Sequence, residues 1–183
     1  FRCARLPNLG ETLIGTGFTL GPGGKGSNQA VAVARAGGDV GFLSRIGDDS
    51  FGAMGMETWE AAGVHPLVIR DPAQPTGAAG IFIEETEGRN AIVISPGAAA
   101  AITNADVEAH ADTIRAAKVA VTQLEQPVEV AERFLRIAAD AGVVTVLNPA
   151  PATALPEGML ALCDYVTPNE AEAEALTGIA VTD

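Results

Sequence analysis

Apolar positions along the chain fall into two rhythms that alternate. Ser27 to Ala36 carries small apolar residues at helical spacing and closes on Gly37-Gly38, a pair suited to a helix C-cap. Val40-Gly41-Phe42-Leu43 follows as a short apolar run and reads as a buried strand reaching Ile46. Gly47-Asp48-Asp49-Ser50 offers a turn and N-cap residues for a helix over about Phe51 to Ala62, which Gly63 ends. Helix, strand and helix in succession predict a parallel sheet. The rhythm then breaks. Ala78 to Ile83 and Ala91 to Ile94 flank a polar tip containing Gly88-Arg89-Asn90, the pattern of a β-hairpin. Two strands with no helix between them cannot be adjacent parallel partners, so this hairpin belongs to a separate small sheet. Glu11 to Leu20 alternates loosely and reads as a twisted strand. Segments 11–21 and 76–95 together are expected to form a β-sheet lid over the main sheet.

Alternation resumes after Pro96-Gly97. Thr103-Asn104 caps a helix expected over Ala105 to Ala117, and Val119 to Thr122 reads as a strand. A helix over Val128 to Ala141 and a strand over Val143 to Leu147 follow. A short helix near Glu157 to Leu162 leads to Tyr165-Val166, and Asn169 caps a helix that Gly178 ends. The expected fold class is therefore α/β, a mostly parallel central sheet with a small lid.

Composition narrows the classes of function. The 183 residues can bury a core, and 48% hydrophobic with 19% charged residues marks a globular chain. A formal net charge of -12 argues against nucleic acid and anionic membrane as partners, since both need a basic surface. Two cysteines, Cys3 and Cys163, imply no disulfide framework and a reducing compartment. No apolar run approaches the roughly 18 residues of a membrane helix, and no signal peptide is visible. The expected location is the cytoplasm. Phe1 in place of Met leads to the expectation that an N-terminal piece precedes the chain.

The chemistry concentrates in Gly23-Gly24-Lys25-Gly26-Ser27-Asn28-Gln29-Ala30, where three glycines open a helix. Glycines at a loop-to-helix junction let backbone N–H groups approach a ligand. Lys25 adds a positive charge and Asn28 an amide that donates and accepts. The combination suits a ligand rich in hydroxyls, or a phosphate. Gly21-x-Gly23-x-x-Gly26 formally fits a dinucleotide fingerprint, but the strand after the helix ends in Ser44-Arg45-Ile46-Gly47 without the acidic residue that motif needs. A P-loop fails at Thr19 and Gly26. A purely structural glycine turn is the remaining plain reading.

Three later strands run into Gln123-Leu124-Glu125-Gln126-Pro127, Asn148-Pro149-Ala150-Pro151 and Thr167-Pro168-Asn169-Glu170. Ligands of open parallel sheets bind at such carboxyl ends, and each end here carries a carboxylate or amide beside a proline. Helix capping is the competing role for Asn148 and Asn169. His65 and His110 show no partner pattern and read as structural.

Taken together, the glycine octet, Gly47-Asp48-Asp49-Ser50-Phe51-Gly52, Thr76-Gly77, Gln123-Leu124-Glu125, Asn148-Pro149-Ala150-Pro151 and Thr167 to Glu174 resemble the ribokinase-like (PfkB-type) carbohydrate kinases. The order and spacing of these motifs follow the family over essentially the whole chain. The resemblance implies a three-layer α/β/α domain, represented here in part, with a β-sheet lid that often forms a homodimer contact. It implies that Gly24, Lys25 and Asn28 contact a sugar, that Gly26 and Ser27 shape the same substrate loop, and that Glu125 accepts from sugar hydroxyls. It assigns Asn169 to ATP and Glu172 to Mg²⁺ through water, and leaves Glu170 and Glu174 as solvated charges. The implied reaction moves the γ-phosphoryl group of ATP to the terminal hydroxyl of a sugar, with D-ribose giving ribose 5-phosphate as the leading substrate.

The family's C-terminal Asp-Thr-x-Gly-Ala-Gly-Asp motif, which carries the catalytic Asp, does not occur in this sequence. No catalytic residue is therefore expected among residues 1–183. The adenine pocket and the site for a monovalent cation such as K⁺ belong to that same absent part. The family's first strand, with its sugar-binding Asn and Asp, is expected before Phe1. Fructose, a deoxy-sugar acid or a nucleoside remain alternative substrates, and a chain truly ending at Asp183 would be a non-catalytic sugar-binding fragment. A nicotinamide-dependent oxidoreductase rests on the glycine spacing alone.

Overall fold

The computed structural model describes residues 1–182. After a two-residue strand, β1 (Arg2–Cys3), and a long loop come α1 (Lys25–Arg35), β2 (Gly41–Gly47), α2 (Ser50–Ala62) and β3 (His65–Asp71). β2 and β3 pair in parallel, with Gly41 opposite His65 and Gly47 opposite Asp71. α2 is capped as its flanking residues predict: Asp49 Oδ1 accepts from the Gly52 amide at 2.8 Å, and Gly63 turns left-handed at φ 82. Trp59 of α2 anchors a buried cluster with Ala30, Ile46 and Val64.

β3 is an element that the apolar pattern did not announce, because Pro66 sits second in it. The His65 amide donates to Val40 at 2.9 Å. Backbone alternation turns the next amide position away from β2, onto an edge where a proline lacks no partner. His65 Nε2 also lies 3.1 Å from Asp39 Oδ1, a partner the sequence had not indicated.

β4 (Ala78–Glu84) and β5 (Asn90–Ser95) form the expected antiparallel hairpin. The third strand of this sheet is β1, parallel to β4, and not residues 11–21. Those residues run as an extended loop that meets the sheet at one bridge, Gly17 to Arg2. The physical reason lies in Gly15 and Gly17. They offer no side chains for cross-strand packing, and a Cβ on Gly15 would come within 2.8 Å of the Arg2 carbonyl.

A 3-10 turn over Gly97–Ala101 leads to α3 (Asn104–Glu108) and α4 (Ala111–Ala116). The single helix expected over 105–117 is thus broken at Ala109-His110. There His110 Nδ1 sits 2.9 Å from the Asp106 carbonyl, in place of a continuing helix bond. β6 (Val119–Thr122), α5 (Val128–Asp140), β7 (Val144–Leu147) and β8 (Tyr165–Val166) build a second parallel sheet, in order β6–β7–β8. A 3-10 turn over Met159–Leu162 stands where the short helix was expected, and α6 (Glu170–Thr177) closes the series. Val130, Ala131, Leu135, Ile137 and Ala138 of α5 pack on one face of the second sheet. Val119, Val121, Val144 and Tyr165 on its other face are exposed.

The two parallel sheets do not hydrogen-bond to each other. Among the described residues, β2 and β6 each keep one edge without a strand partner. A cleft of about 1860 Å³ runs between them, lined largely by apolar side chains. Leu43 crosses it to pack on the core of α3, α4 and α5. Arg45 crosses it too, with Nε 2.9 Å from Asp106 Oδ2 while Nη1 lies 3.2 Å from Asp71 on β3. No described helix is long and apolar enough to cross a membrane.

Candidate functional site

Two loops from opposite sides of the cleft meet at its mouth. On the β2 side, Gly24 takes φ 93 immediately before α1, a conformation that L side chains resist. The cap residue has no side chain to satisfy the first helical turn, so its N–H groups take partners from elsewhere. On the β6 side the chain leaves Thr122 and presents Glu125, whose Oε2 accepts from the Lys25 amide at 2.7 Å. A carboxylate at a helix N-terminus is favoured by the helix dipole. Gly24, Lys25, Gly26, Ser27, Asn28 and Glu125 all line the one cleft, although a hundred residues separate Lys25 from Glu125. The Lys25 ammonium has no ion-pair partner among the described residues, which leaves its charge for a ligand.

The floor of the loop is tightly packed. A Cβ on Gly26 would lie 3.0 Å from both Gln123 Oε1 and Phe42 Cε2, so a larger residue there would press on both side chains. Buried Gln123 also donates from Nε2 to Gln29 Oε1 at 2.6 Å, fixing the first turns of α1 to the end of β6. Ser27 turns inward, and its Oγ accepts from the Trp59 indole N–H at 2.7 Å within the core. Sequence reasoning did not identify Phe42, Gln123 and Trp59 as supports. One signal was available: a tryptophan on the apolar side of a helix needs an acceptor for its N–H when buried.

The lid sheet stands over the cleft. Ala79, Ile81 and Ile94 line it from the hairpin. Phe82 points to the opposite face, stacked with Phe1 at a 5.6 Å ring separation; Phe1 in turn lies 4.7 Å from Phe18. The root of the hairpin is pinned to α2. Asp49 accepts from the Thr76 amide at 2.8 Å and its hydroxyl at 2.7 Å, besides capping Gly52, and Thr76 Oγ1 accepts from the Gly47 amide at 2.9 Å. The Gly52 amide first, then Thr76, hold the Asp49 carboxyl below its ordinary value. A Cβ on Gly77 would lie 2.6 Å from the Pro96 carbonyl oxygen, which explains the glycine where the strands enter the lid.

Of the strand ends after β7 and β8, the first reaches the cleft through Pro151, and its Ala150 carbonyl accepts from the Leu124 amide at 3.0 Å; Asn148, Asn169 and Glu172 do not line it. Asn148 Nδ2 donates to the Thr167 carbonyl at 2.9 Å, tying one end to the next. Asn169 and Glu172 form a reciprocal capping box: Asn169 Oδ1 accepts from the Glu172 amide at 2.8 Å, and Glu172 Oε2 from the Asn169 amide at 2.9 Å. Glu172 Oε1 takes a further bond from Asn169 Nδ2 at 3.2 Å. With both oxygens engaged and the side chain buried, Glu172 fits Mg²⁺ only across a water, and the described residues hold no group of three metal-ligating side chains.

The chain belongs to the pfkB family of carbohydrate kinases, whose model matches residues 3–183. It is 44% identical over 176 residues to a bifunctional ribokinase/ribose-5-phosphate isomerase A of Fructilactobacillus sanfranciscensis, covering 95% of this chain and 32% of that protein. Ribokinase of Haemophilus influenzae is 41% identical over 175 residues, 95% of this chain and 57% of that protein. Among solved structures, Arabidopsis thaliana ribokinase, described as complexed with ribose and ATP, superposes with a TM-score of 0.86 at 29% identity. That superposition covers 100% of this chain and 60% of the Arabidopsis chain. The fold is thus the ribokinase-like α/β fold that the motifs predict, and the chain spans about a third to three fifths of these relatives.

Proposed function

We propose that this chain carries the sugar-binding part of an ATP-dependent kinase that phosphorylates the terminal hydroxyl of D-ribose. One observation carries the reading: Glu125 at the end of β6 meets the open N-terminus of α1 at 2.7 Å, inside a cleft that Gly24, Lys25 and Asn28 also line. A carboxylate, an ammonium and an amide gathered at a helix N-terminus match the donors and acceptors of a polyol. The relatives named ribokinases, at 44% and 41% identity, favour ribose among the possible sugars. The aliphatic lid face of Ala79, Ile81 and Ile94 favours a sugar over a nucleoside, because Phe82, which could have stacked on a base, is turned away.

In this reading the sugar hydroxyl oxygen attacks the γ-phosphorus of ATP, its proton passes to a general base supplied from outside residues 1–183, and ADP departs, chemistry that depends on positioning and charge stabilisation. The loop and Glu125 hold the sugar while the lid excludes water. Asn169 serves the nucleotide end, Mg²⁺ accompanies ATP with Glu172 behind a water, and a monovalent cation such as K⁺ activates. In this reading the protein works in the cytoplasm, where ATP is at hand.

The test is Glu125→Ala in the complete polypeptide, with binding followed by calorimetry. Ribose affinity should fall by about a hundredfold or more, since a charged acceptor is removed, while ATP affinity stays unchanged. Ribose affinity equal to the parent's would remove Glu125 from the site.

A further inference from the structure

The substrate loop has no cap of its own at the start of α1, so its position is set by what lies beneath it. Most of that support is packing around Gly26, but one contact is a directed bond from another helix. Trp59 Nε1 donates to Ser27 Oγ at 2.7 Å, with Ser27 and Trp59 only 7% and 4% exposed. The indole is itself fixed. Its ring meets Phe42 edge-on at 5.0 Å, and a Cβ on Gly55 would approach its Cη2 to 3.2 Å, so a larger residue one turn earlier would push it aside. Phe42 in turn underlies Gly26. Ser27 is flanked by Gly26 and Asn28, so a shift of its Oγ displaces the backbone that presents Lys25 and Asn28 to the cleft.

We propose that Trp59 is a positioning residue for sugar binding: through its bond to Ser27 it holds the first turn of α1 in register with Glu125. This rests on the kinase reading above. Trp59 is buried beneath the loop and acts through its bond to Ser27. The role of Ser27 follows from the same geometry. Its hydroxyl, turned into the core, serves as the handle by which α2 grips the loop.

Trp59→Phe keeps an aromatic ring but removes the donor, and Ser27→Ala removes the acceptor. In the complete enzyme each should raise KM for ribose about tenfold, as loss of one buried hydrogen bond predicts. KM for ATP should be unchanged and kcat within a factor of two. The double variant should be no worse than either single one, because both remove the same bond. Val64→Ala, in the same core cluster but outside the Trp59–Ser27 bond, supplies the control; it should lower thermal stability and leave KM for ribose unaltered. Additive losses in the double variant, or folded single variants with parental KM, would overturn the proposal while leaving the kinase reading standing. A parent protein that binds no sugar would instead overturn the kinase reading, and this proposal with it.

Discussion

Arg45 ties three elements together at once. Its guanidinium joins β2 to Asp71 on β3 and to Asp106 at the start of α3, across the space between the sheets. Burial pushes the Asp106 carboxyl up, but the bonds from Arg45 and Thr103 outweigh it and hold the group below its ordinary value. A carboxylate with a lowered folded pKa stabilises above its unfolded pKa, about 3.9 for Asp, and loses that contribution as pH falls through the folded value. Asp106→Ala should therefore cost about 2 kcal/mol at pH 7. The gap to the parent should close below roughly pH 3.9. Urea titrations of both proteins across that range measure it, and a gap independent of pH would mean that the charge contributes nothing.

At the scale of elements, the lid carries a surface of its own. Its cleft face is aliphatic, while its outer face gathers Phe1, Phe18 and Val93, exposed at 54%, 62% and 69%. So much apolar area on one small sheet favours covering by a second copy. The complete protein is expected to elute as a dimer by light scattering, and Val93→Asp to shift it toward monomer with the core intact; a monomeric parent would refute the contact. The lid also shows where the sequence was legible. Local signals located the hairpin, both caps of α2, the Asn169 cap and every strand of the β6–β8 sheet, because each depends on residues close in sequence. Pro66 masked β3, whose edge position is a tertiary fact. Loose alternation over 11–21 imitated a strand whose glycines cannot pack as one. The loop and Glu125 could be named from motifs, but the inward turn of Ser27 could not, since its partner lies 32 residues away.

Beneath the lid sheet, the described residues of the molecule form two parallel half-sheets, each with its own core. Ala30, Ile46, Trp59 and Val64 fill the β2–β3 side, and Leu124, Ala131, Leu135 and Leu147 lie in the β6–β8 side. The candidate site belongs to neither half. Its loop rides on the first, and Glu125 projects from the second. A sugar bound there would act as a molecular staple, gripping both halves and resisting their separation. Scanning calorimetry of the complete protein should show this as a change in cooperativity as well as a shift in Tm. Without ribose the endotherm should be broad or split, with a calorimetric enthalpy above the van't Hoff value; with saturating ribose the two should converge into one sharper transition. If the transition is already single and merely moves upward, the halves melt together unaided, and the sugar adds affinity without joining them.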